Sequence, residues 1–395
     1  MAVDFYRHSL KRSDSDLIGN VLNTPYLTSG SVGKSVEEQL KDFFSIKEAL
    51  LVNSWTNGAI ATLLALGVEH EDEVIVPAQT FIATANCVKL IGAKPVFCDV
   101  DAETLLIDFD LVQKKITPKT RAVIAVHLYG RMCDIQQLRI SLNKIGRSDI
   151  HIIEDAAHCF EGSLNGIKPG SLSSAAIFSF YATKNLTCGE GGAIITNNLD
   201  LANAIRLTRL HGMSASAMDR FKTGSYRHWD MERLGAKANL PDILAALLPP
   251  QIAEIKEKLS IRTSIANQYL RAFEGTGIRV PKLIKDCIDA KHLFSINVPA
   301  EVRDKSLLAL ASVGIGCTVN YRAVPTTTYY KTIIDNSVLP EQAFPVSIGW
   351  GEGTISLPLY PSMSMEQVDE VIAAVEKYIA PLCHKRNDKN FGITL

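Results

Sequence analysis

The chain has 395 residues, more than one ordinary hydrophobic core organises, so a large and a small unit are expected. Its 41 basic and 42 acidic residues leave a formal net charge of -1, with no field of one sign to draw in nucleic acid. No apolar run reaches the length of a membrane span, and the polar start "MAVDFYRHSLKRSDSD" lacks the apolar core of a signal peptide.

Residues 13–22 and 35–44 carry apolar positions at three- and four-residue spacing and predict helices. A rhythm then begins. "ALLVNS" at 49–54 predicts a strand, and "TNGAIATLLALG" a helix ending at Gly67. "EVIVPA" at 73–78 and "PVFCDV" at 95–100 are strands, separated by the helix "TFIATANCVKLIG" that ends at Gly92. A helical stretch near 108–116 leads to the strand "RAVIAVHLYG", then a helix from Asp134. "HIIEDAAH" at 151–158, "AAIFSF" and "GAIITN" are three more strands, and 199–211 a helix. Strands apolar throughout, alternating with helices, imply a mostly parallel sheet covered on both faces, an α/β fold.

A long helical segment from Pro241 to about 275 bridges to a smaller α+β unit. "LFSINV", a helix at 302–313, "GCTVNY" and a final helix from Met365 supply its elements. The expected division is 1–250 for the large unit, with its N-terminal helical segment, and 251–395 for the small one. The polar tail "CHKRNDKNFGITL" is expected to be loosely held. Eight cysteines, none in a C-x-x-C pair and most inside apolar runs, read as the reduced thiols of a cytoplasmic protein. They suggest neither a disulfide frame nor a metal site.

In such sheets ligands sit beyond the carboxyl ends of the strands. "NSWTNG" there opens a helix, and hydroxyl, amide and free N–H groups at a helix start bind phosphate as readily as they form a plain cap. "AQTF" puts Phe81 near the same rim, as a ring face or as core. In "EDAAH", Glu154 and Asp155 follow an apolar run, so at least one carboxylate must find a cation or donors. Ser179 and Lys184 lie in "SFYATKNLTCGEGGAIITN", a lysine between two apolar runs. One cofactor uses all these parts. Pyridoxal 5'-phosphate needs a lysine for its Schiff base, a carboxylate for its ring nitrogen, a phosphate cradle and a flat partner for the ring. Lys184, Asp155, "NSWTNG" with Ser179, and Phe81 suit those roles in turn.

With these blocks the sequence resembles the DegT/DnrJ/EryC1/StrS sugar aminotransferases over nearly the whole chain. "YLTSGSVGKSVEEQL", "PAQTFIATAN", "EDAAHCFEG", "IFSFYATKNLTCGEGGAIITN", "RLHG" and "ISLPLYPSMSMEQVDEVI" are similar to family blocks, the lysine block being the most specific. The resemblance implies the aspartate aminotransferase fold (fold type I) and Lys184 as the catalytic, cofactor-linked lysine. It places Asp155 at the pyridine nitrogen, His158 near the phenolic oxygen, Thr56, Asn57 and Ser179 on the phosphate, and Phe81 on the ring. "AKANLPDILAALL" implies that Asn239 reaches the neighbouring subunit's site, hence a homodimer. A helix cap is the other reading of Asn239. L-glutamate is the implied donor and a nucleotide-linked keto-sugar the acceptor.

Within the family, "FYATKNLTCGEGG", "MDRFKTG" and "GIGCTVNYRAVPTTTYY" look most like the enzyme making UDP-4-amino-4-deoxy-L-arabinose, of lipopolysaccharide biosynthesis. The chain departs from that pattern at Tyr181 and Asn320, where histidines are usual, and at "RLGAKANL", all three where substrate would be read. Arg220, Lys222, Arg227 and Arg322 are candidates for the glutamate side-chain carboxylate and the diphosphate, or are solvated surface charge. Carbon 3 of the sugar is the alternative to carbon 4. Sugar dehydratases of this fold replace the lysine with histidine, so Lys184 argues against that activity. A scaffold without catalysis is opposed by the intact Lys184, Asp155 and Ser179.

Overall fold

The structure, a computed structural model, describes residues 2–214, 228–334 and 339–383. The strands are β1 (Glu48–Val52), β2 (Glu73–Pro77), β3 (Lys94–Cys98), β4 (Thr120–Val126), β5 (His151–Asp155), β6 (Ser163–Leu164), β7 (Ala175–Ser179), β8 (Gly192–Thr196), β9 (Cys287–Ile288), β10 (Phe294–Asn297) and β11 (Thr354–Leu357). Seven of them form one sheet in the order β1-β8-β7-β5-β4-β2-β3. All its ladders are parallel except those of β8, which runs against β1 and β7. The expected mostly parallel sheet is therefore present.

Both faces are covered, and β1 shows how. Leu50 and Val52 point into one cluster with Ile177, Ile194 and the helix Trp55–Ala65. Ala49 and Leu51 point into another with Phe178, Ile195 and the helix Ser31–Phe44. This alternation is the pleat of a strand buried on both sides. Gly58 lets the helix Trp55–Ala65 lie close to the sheet, since a Cβ there would stand 3.0 Å from Val52 Cγ2.

The helix predicted at 35–44 starts earlier, at Ser31, after Gly30. Its first turn is capped by a distant residue. The buried Asp242 carboxylate accepts the Gly30 N–H at 2.8 Å and the Val32 N–H at 3.0 Å. Local spacing carries no trace of such a cap.

The expected bridging helix is the pair Asp242–Ala245 and Leu248–Phe273. Its Ile255 packs with the sheet cluster, whereas Ile265, Tyr269 and Phe273 pack in a cluster with β10, β11 and the helix Met365–Tyr378. We propose that this last cluster organises the small unit. β10 pairs with β11, and "GCTVNY" offers only an isolated bridge from Thr318 to Ser356. β6 and β9 form a separate short ladder. All eight cysteines are free, six of them buried. Among the described residues no helix is long and apolar enough to cross a membrane.

Candidate active site

The carboxyl ends of β5 and β7 and the loop before β8 open on one cavity of about 530 Å³. Thr56, Phe81, Asp155, His158, Ser179, Lys184 and Asn320 all line it. Residues spread over 265 positions of sequence thus meet at one place because the parallel strands end there together.

Lys184 sits in the turn after β7, with its N–H on Tyr181 O at 2.9 Å. Its half-buried side chain lines the cavity. Desolvation pushes its amine down from 10.5 to about 8, and the charge of Asp155 opposes that fall. Asp155 lies at the cavity floor. Thr84 Oγ1 donates to its Oδ2 at 2.9 Å and the Ala157 N–H to its Oδ1 at 3.2 Å. Burial still raises its carboxyl above the ordinary range, against the pull of those donors and of Lys184. A cationic ring N–H in the cavity would reverse that rise.

Glu154, the adjacent residue, faces the other side of the sheet. Its carboxylate accepts from buried His127 at 2.7 Å and from the Gly170 N–H at 2.7 Å. His127 Nδ1 already accepts the Cys133 N–H, so its Nε2 carries the proton given to Glu154. Glu154 is fully served by protein.

His158 Nδ1 accepts the Tyr129 N–H at 3.2 Å, which leaves Nε2–H to donate to Tyr321 Oη, also at 3.2 Å. Burial, with the charge of Lys184, holds this imidazole well below its usual value and therefore neutral. Phe81 is 51% exposed, and its ring lies 5.5 Å from that of Tyr321. A large ring open to a cavity is an available stacking face.

The other end of the cavity is the start of the helix Trp55–Ala65. Ser54 caps it by accepting the Asn57 N–H at 3.1 Å, which leaves the N–H groups of Trp55 and Thr56 without helical partners. Gly192 brings β8 against this turn, since a Cβ there would stand 2.5 Å from Phe178 O and 3.1 Å from Trp55 N. Free N–H groups, the Thr56 and Ser179 hydroxyls and a helix N-terminus suit a phosphate. With Asp155, Lys184 and Phe81, the set fits pyridoxal 5'-phosphate.

Other expected site residues lie elsewhere. Asn57 turns its amide to Asn53 Oδ1 at 2.9 Å, so its neighbour Thr56, not Asn57, faces the cavity. Arg322 bonds Thr326, through Nε to Oγ1 at 2.9 Å and Nη2 to the carbonyl at 2.8 Å, bracing its own loop. Asn320 has a buried Oδ1 with no partner among the described residues. Asn239 lines a second cavity of about 480 Å³, with Ser29, Glu37 and Arg206. Its Nδ2 donates to Thr28 Oγ1 at 2.8 Å and Ser29 Oγ at 2.9 Å. The helix Asp242–Ala245 has no side-chain cap, so the cap reading of Asn239 fails. Arg220, Lys222 and Arg227 lie outside the described residues.

Sequence reasoning passed over Tyr321, Thr84, Tyr6 and His292, all of which line the cavity. Tyr6 Oη donates to Ala182 O beside the lysine. Tyr321, Tyr6 and His292 come from segments without a polar strand end, the signal used to collect the others, and Thr84 sits in the helix Ala83–Leu90, past the strand end that gave Phe81.

The DegT/DnrJ/EryC1/StrS aminotransferase family profile matches residues 9–376. The sugar aminotransferase Spr1654 of Streptococcus pneumoniae superposes in its PMP form with a TM-score of 0.89 at 27% identity, covering 96% of this chain and 100% of that one. Its PLP form gives 0.87, also at 27% identity, with 96% and 100% coverage. DesV of S. venezuelae gives 0.85 at 30% identity and 95% coverage of each chain. Helicobacter pylori PseC, an aminotransferase involved in pseudoaminic acid biosynthesis, gives 0.86 at 26%, with 96% and 100% coverage. The chain belongs to the DegT/DnrJ/EryC1/StrS aminotransferase family and is a pyridoxal-phosphate-dependent aminotransferase of fold type I.

Proposed function

We propose that the chain moves an amino group from L-glutamate to carbon 4 of a nucleotide-linked keto-sugar, for a cell-surface or lipopolysaccharide amino-sugar. The observation that carries this reading is Lys184, a lysine whose amine burial pushes toward its neutral form and which lines the same cavity as Asp155. Pyridoxal phosphate, when bound, supplies the electron sink for amino transfer. The chain supplies the rest. Asp155 faces a cation at the floor, Phe81 and Tyr321 flank the ring space, and Thr56 and Ser179 hold phosphate. Lys184 Nζ takes the proton from the donor's alpha carbon, and near neutrality a fraction of the amine is already unprotonated for that work. The reverse transfer then serves the keto-sugar.

The sugar class rests on the family and on the sugar aminotransferases among its members, and carbon 4 on the blocks around Lys184 and Gly314. Arg220, Lys222 and Arg227 are the proposed contacts for the glutamate side-chain carboxylate and the nucleotide diphosphate, and Asn320 is proposed as a substrate contact. Asn239 is proposed to complete the site of a second subunit in a cytoplasmic homodimer. The test is to load the enzyme with amino group from glutamate, remove the 2-oxoglutarate, and offer a panel of nucleotide keto-sugars. A UDP-linked 4-keto-sugar is expected to restore the visible absorbance of the lysine-linked cofactor, with one amino-sugar formed per 2-oxoglutarate released. Restoration only by 3-keto-sugars would move the reading to carbon 3. Loss of a sugar hydroxyl without amine transfer would make the chain a dehydratase.

A further inference from the structure

Behind Lys184 runs a chain of polar side chains that amino transfer, as assigned above, leaves without a task. It starts at Arg262 on the long helix, buried and paired with the equally buried Glu161. Asn185 Nδ2 donates to Glu161 Oε2 at 3.1 Å and to Ala290 O at 2.9 Å. On its other side, Asn185 Oδ1 stands 3.1 Å from Nδ1 of His292. His292 is buried but for 6% of its surface, and it lines the Lys184 cavity.

These contacts fix protons. A carboxylate and a carbonyl only accept, so Asn185 must turn its NH₂ to Glu161 and Ala290 and its oxygen to His292. That oxygen also only accepts, so His292 carries its proton on Nδ1. Nε2 keeps its lone pair and is the nitrogen left for the cavity. The neighbouring imidazole is set the other way. His158, its ring centroid 4.4 Å from that of His292, accepts at Nδ1 and presents N–H at Nε2. The two neighbouring imidazoles, their planes tilted 39° apart, are thus opposite tautomers: His158 gives its Nε2–H to Tyr321 Oη, and His292 keeps an acceptor at Nε2. Burial, with the charges of Lys184 and Arg262, keeps His292 well below its ordinary value, so the lone pair is not lost to protonation. Lys184 and His292 line the same cavity, and Asn185, which sets the His292 tautomer, is the residue next to Lys184 in the chain.

We propose that His292 is a positioning residue for Lys184, accepting a hydrogen bond at Nε2 from the free lysine amine and so turning the amine's own lone pair toward the bound substrate. Arg262, Glu161 and Asn185 hold the acceptor tautomer in place. The inference rests on Lys184 as the proton carrier. It adds a group that aims the amine, where desolvation alone sets only its basicity.

Two measurements on the holoenzyme decide it. In the first, His292→Phe removes the acceptor and keeps the bulk. Single-turnover reaction with glutamate alone is followed by loss of the cofactor's visible absorbance. A misaimed reacting group costs on the order of 10² in rate, so the variant is expected to slow by about that factor, with glutamate KM little changed. His292→Asn, which can still present an acceptor, is expected to recover part of the rate. A glutamate half-reaction within about threefold of wild type would overturn the proposal. So would slowing confined to the keto-sugar half-reaction, which would mean contact with the sugar. The second measurement is the tautomer of His292 in wild-type holoenzyme, by ¹⁵N NMR of labelled histidine. The proton is expected on Nδ1; a proton on Nε2 overturns the proposal even if the variants fail to fold. Should glutamate fail to react with wild type, the donor assignment is wrong, and the tautomer still decides the role of His292.

Discussion

At the end of β5 two carboxylates stand next to each other in the chain and on opposite faces of the sheet. Glu154 looks into a closed layer, where His127 and the Gly170 N–H satisfy it. Asp155 looks into the cavity, where Thr84 and Ala157 serve it and burial still raises its carboxyl. The difference teaches how to tell a structural charge from a functional one. A buried carboxylate bonded to a histidine N–H away from the cavity belongs to the fold, whereas one that lines the cavity and is raised by burial is placed to meet a cationic ligand.

The sharpest break of this comparison is on the cavity side. Lys184→Ala is expected to abolish turnover and the visible band of the lysine-linked cofactor, while circular dichroism shows a folded protein. The two carboxylates come next. Asp155→Asn keeps the shape and loses the charge, and is expected to cost on the order of 10²–10³ in kcat. Glu154→Gln turns an amide N–H toward one of two donors. It is expected to destabilise by about 1–3 kcal/mol, with kcat per folded molecule unchanged. If the two variants exchange these effects, the faces have been assigned the wrong way round.

The second cavity gives a milder effect. Lys184→Ala and Asn239→Ala subunits, mixed and re-associated, are expected to regain part of the activity, because a heterodimer gathers both lesions in one site and leaves the other whole. No recovery in proven heterodimers would confine Asn239 to bracing Thr28 and Ser29.

The smallest effect is on stability. Lys184 falls from 10.5 to about 8 on folding, which at about 1.4 kcal/mol for each pH unit amounts to at most roughly 3–4 kcal/mol. The unfolded chain binds the proton more tightly, so this cost is fully present below pH 8 and is relieved as pH rises toward 10.5. Cofactor-free Lys184→Met should therefore be more stable than wild type at pH 7, and thermal unfolding should show that margin shrinking across the window between the two values.

The legible parts of this fold were those written locally. The seven strands of the large sheet are apolar runs, and Gly67 and Gly92 stop their helices, so a mostly parallel sheet followed; its strand order and the antiparallel β8 did not. The site residues at strand ends, Asp155, Ser179, Lys184 and Phe81, could be collected because polar or aromatic groups there break an apolar pattern. What was hidden depends on distant partners. Asp242 caps a helix across 212 positions, to Gly30. Which of Glu154 and Asp155 faces the cavity depends on which sheet face each side chain occupies. Arg322 looked available in sequence and is bound by Thr326 four residues on. Tyr321 and His292 enter the cavity from the segments around β10 and β11, and nothing in their immediate neighbours marks them.

The most direct test of the central claim is chemical trapping of the lysine. Borohydride adds hydride to the C=N bond between cofactor and protein and leaves a stable secondary amine, which peptide mass spectrometry can place. One pyridoxyl group per chain is expected, on Lys184, and none in protein first treated with excess glutamate to release the lysine. A label on any other lysine, or a coloured protein that reduction leaves unlabelled, would contradict that assignment.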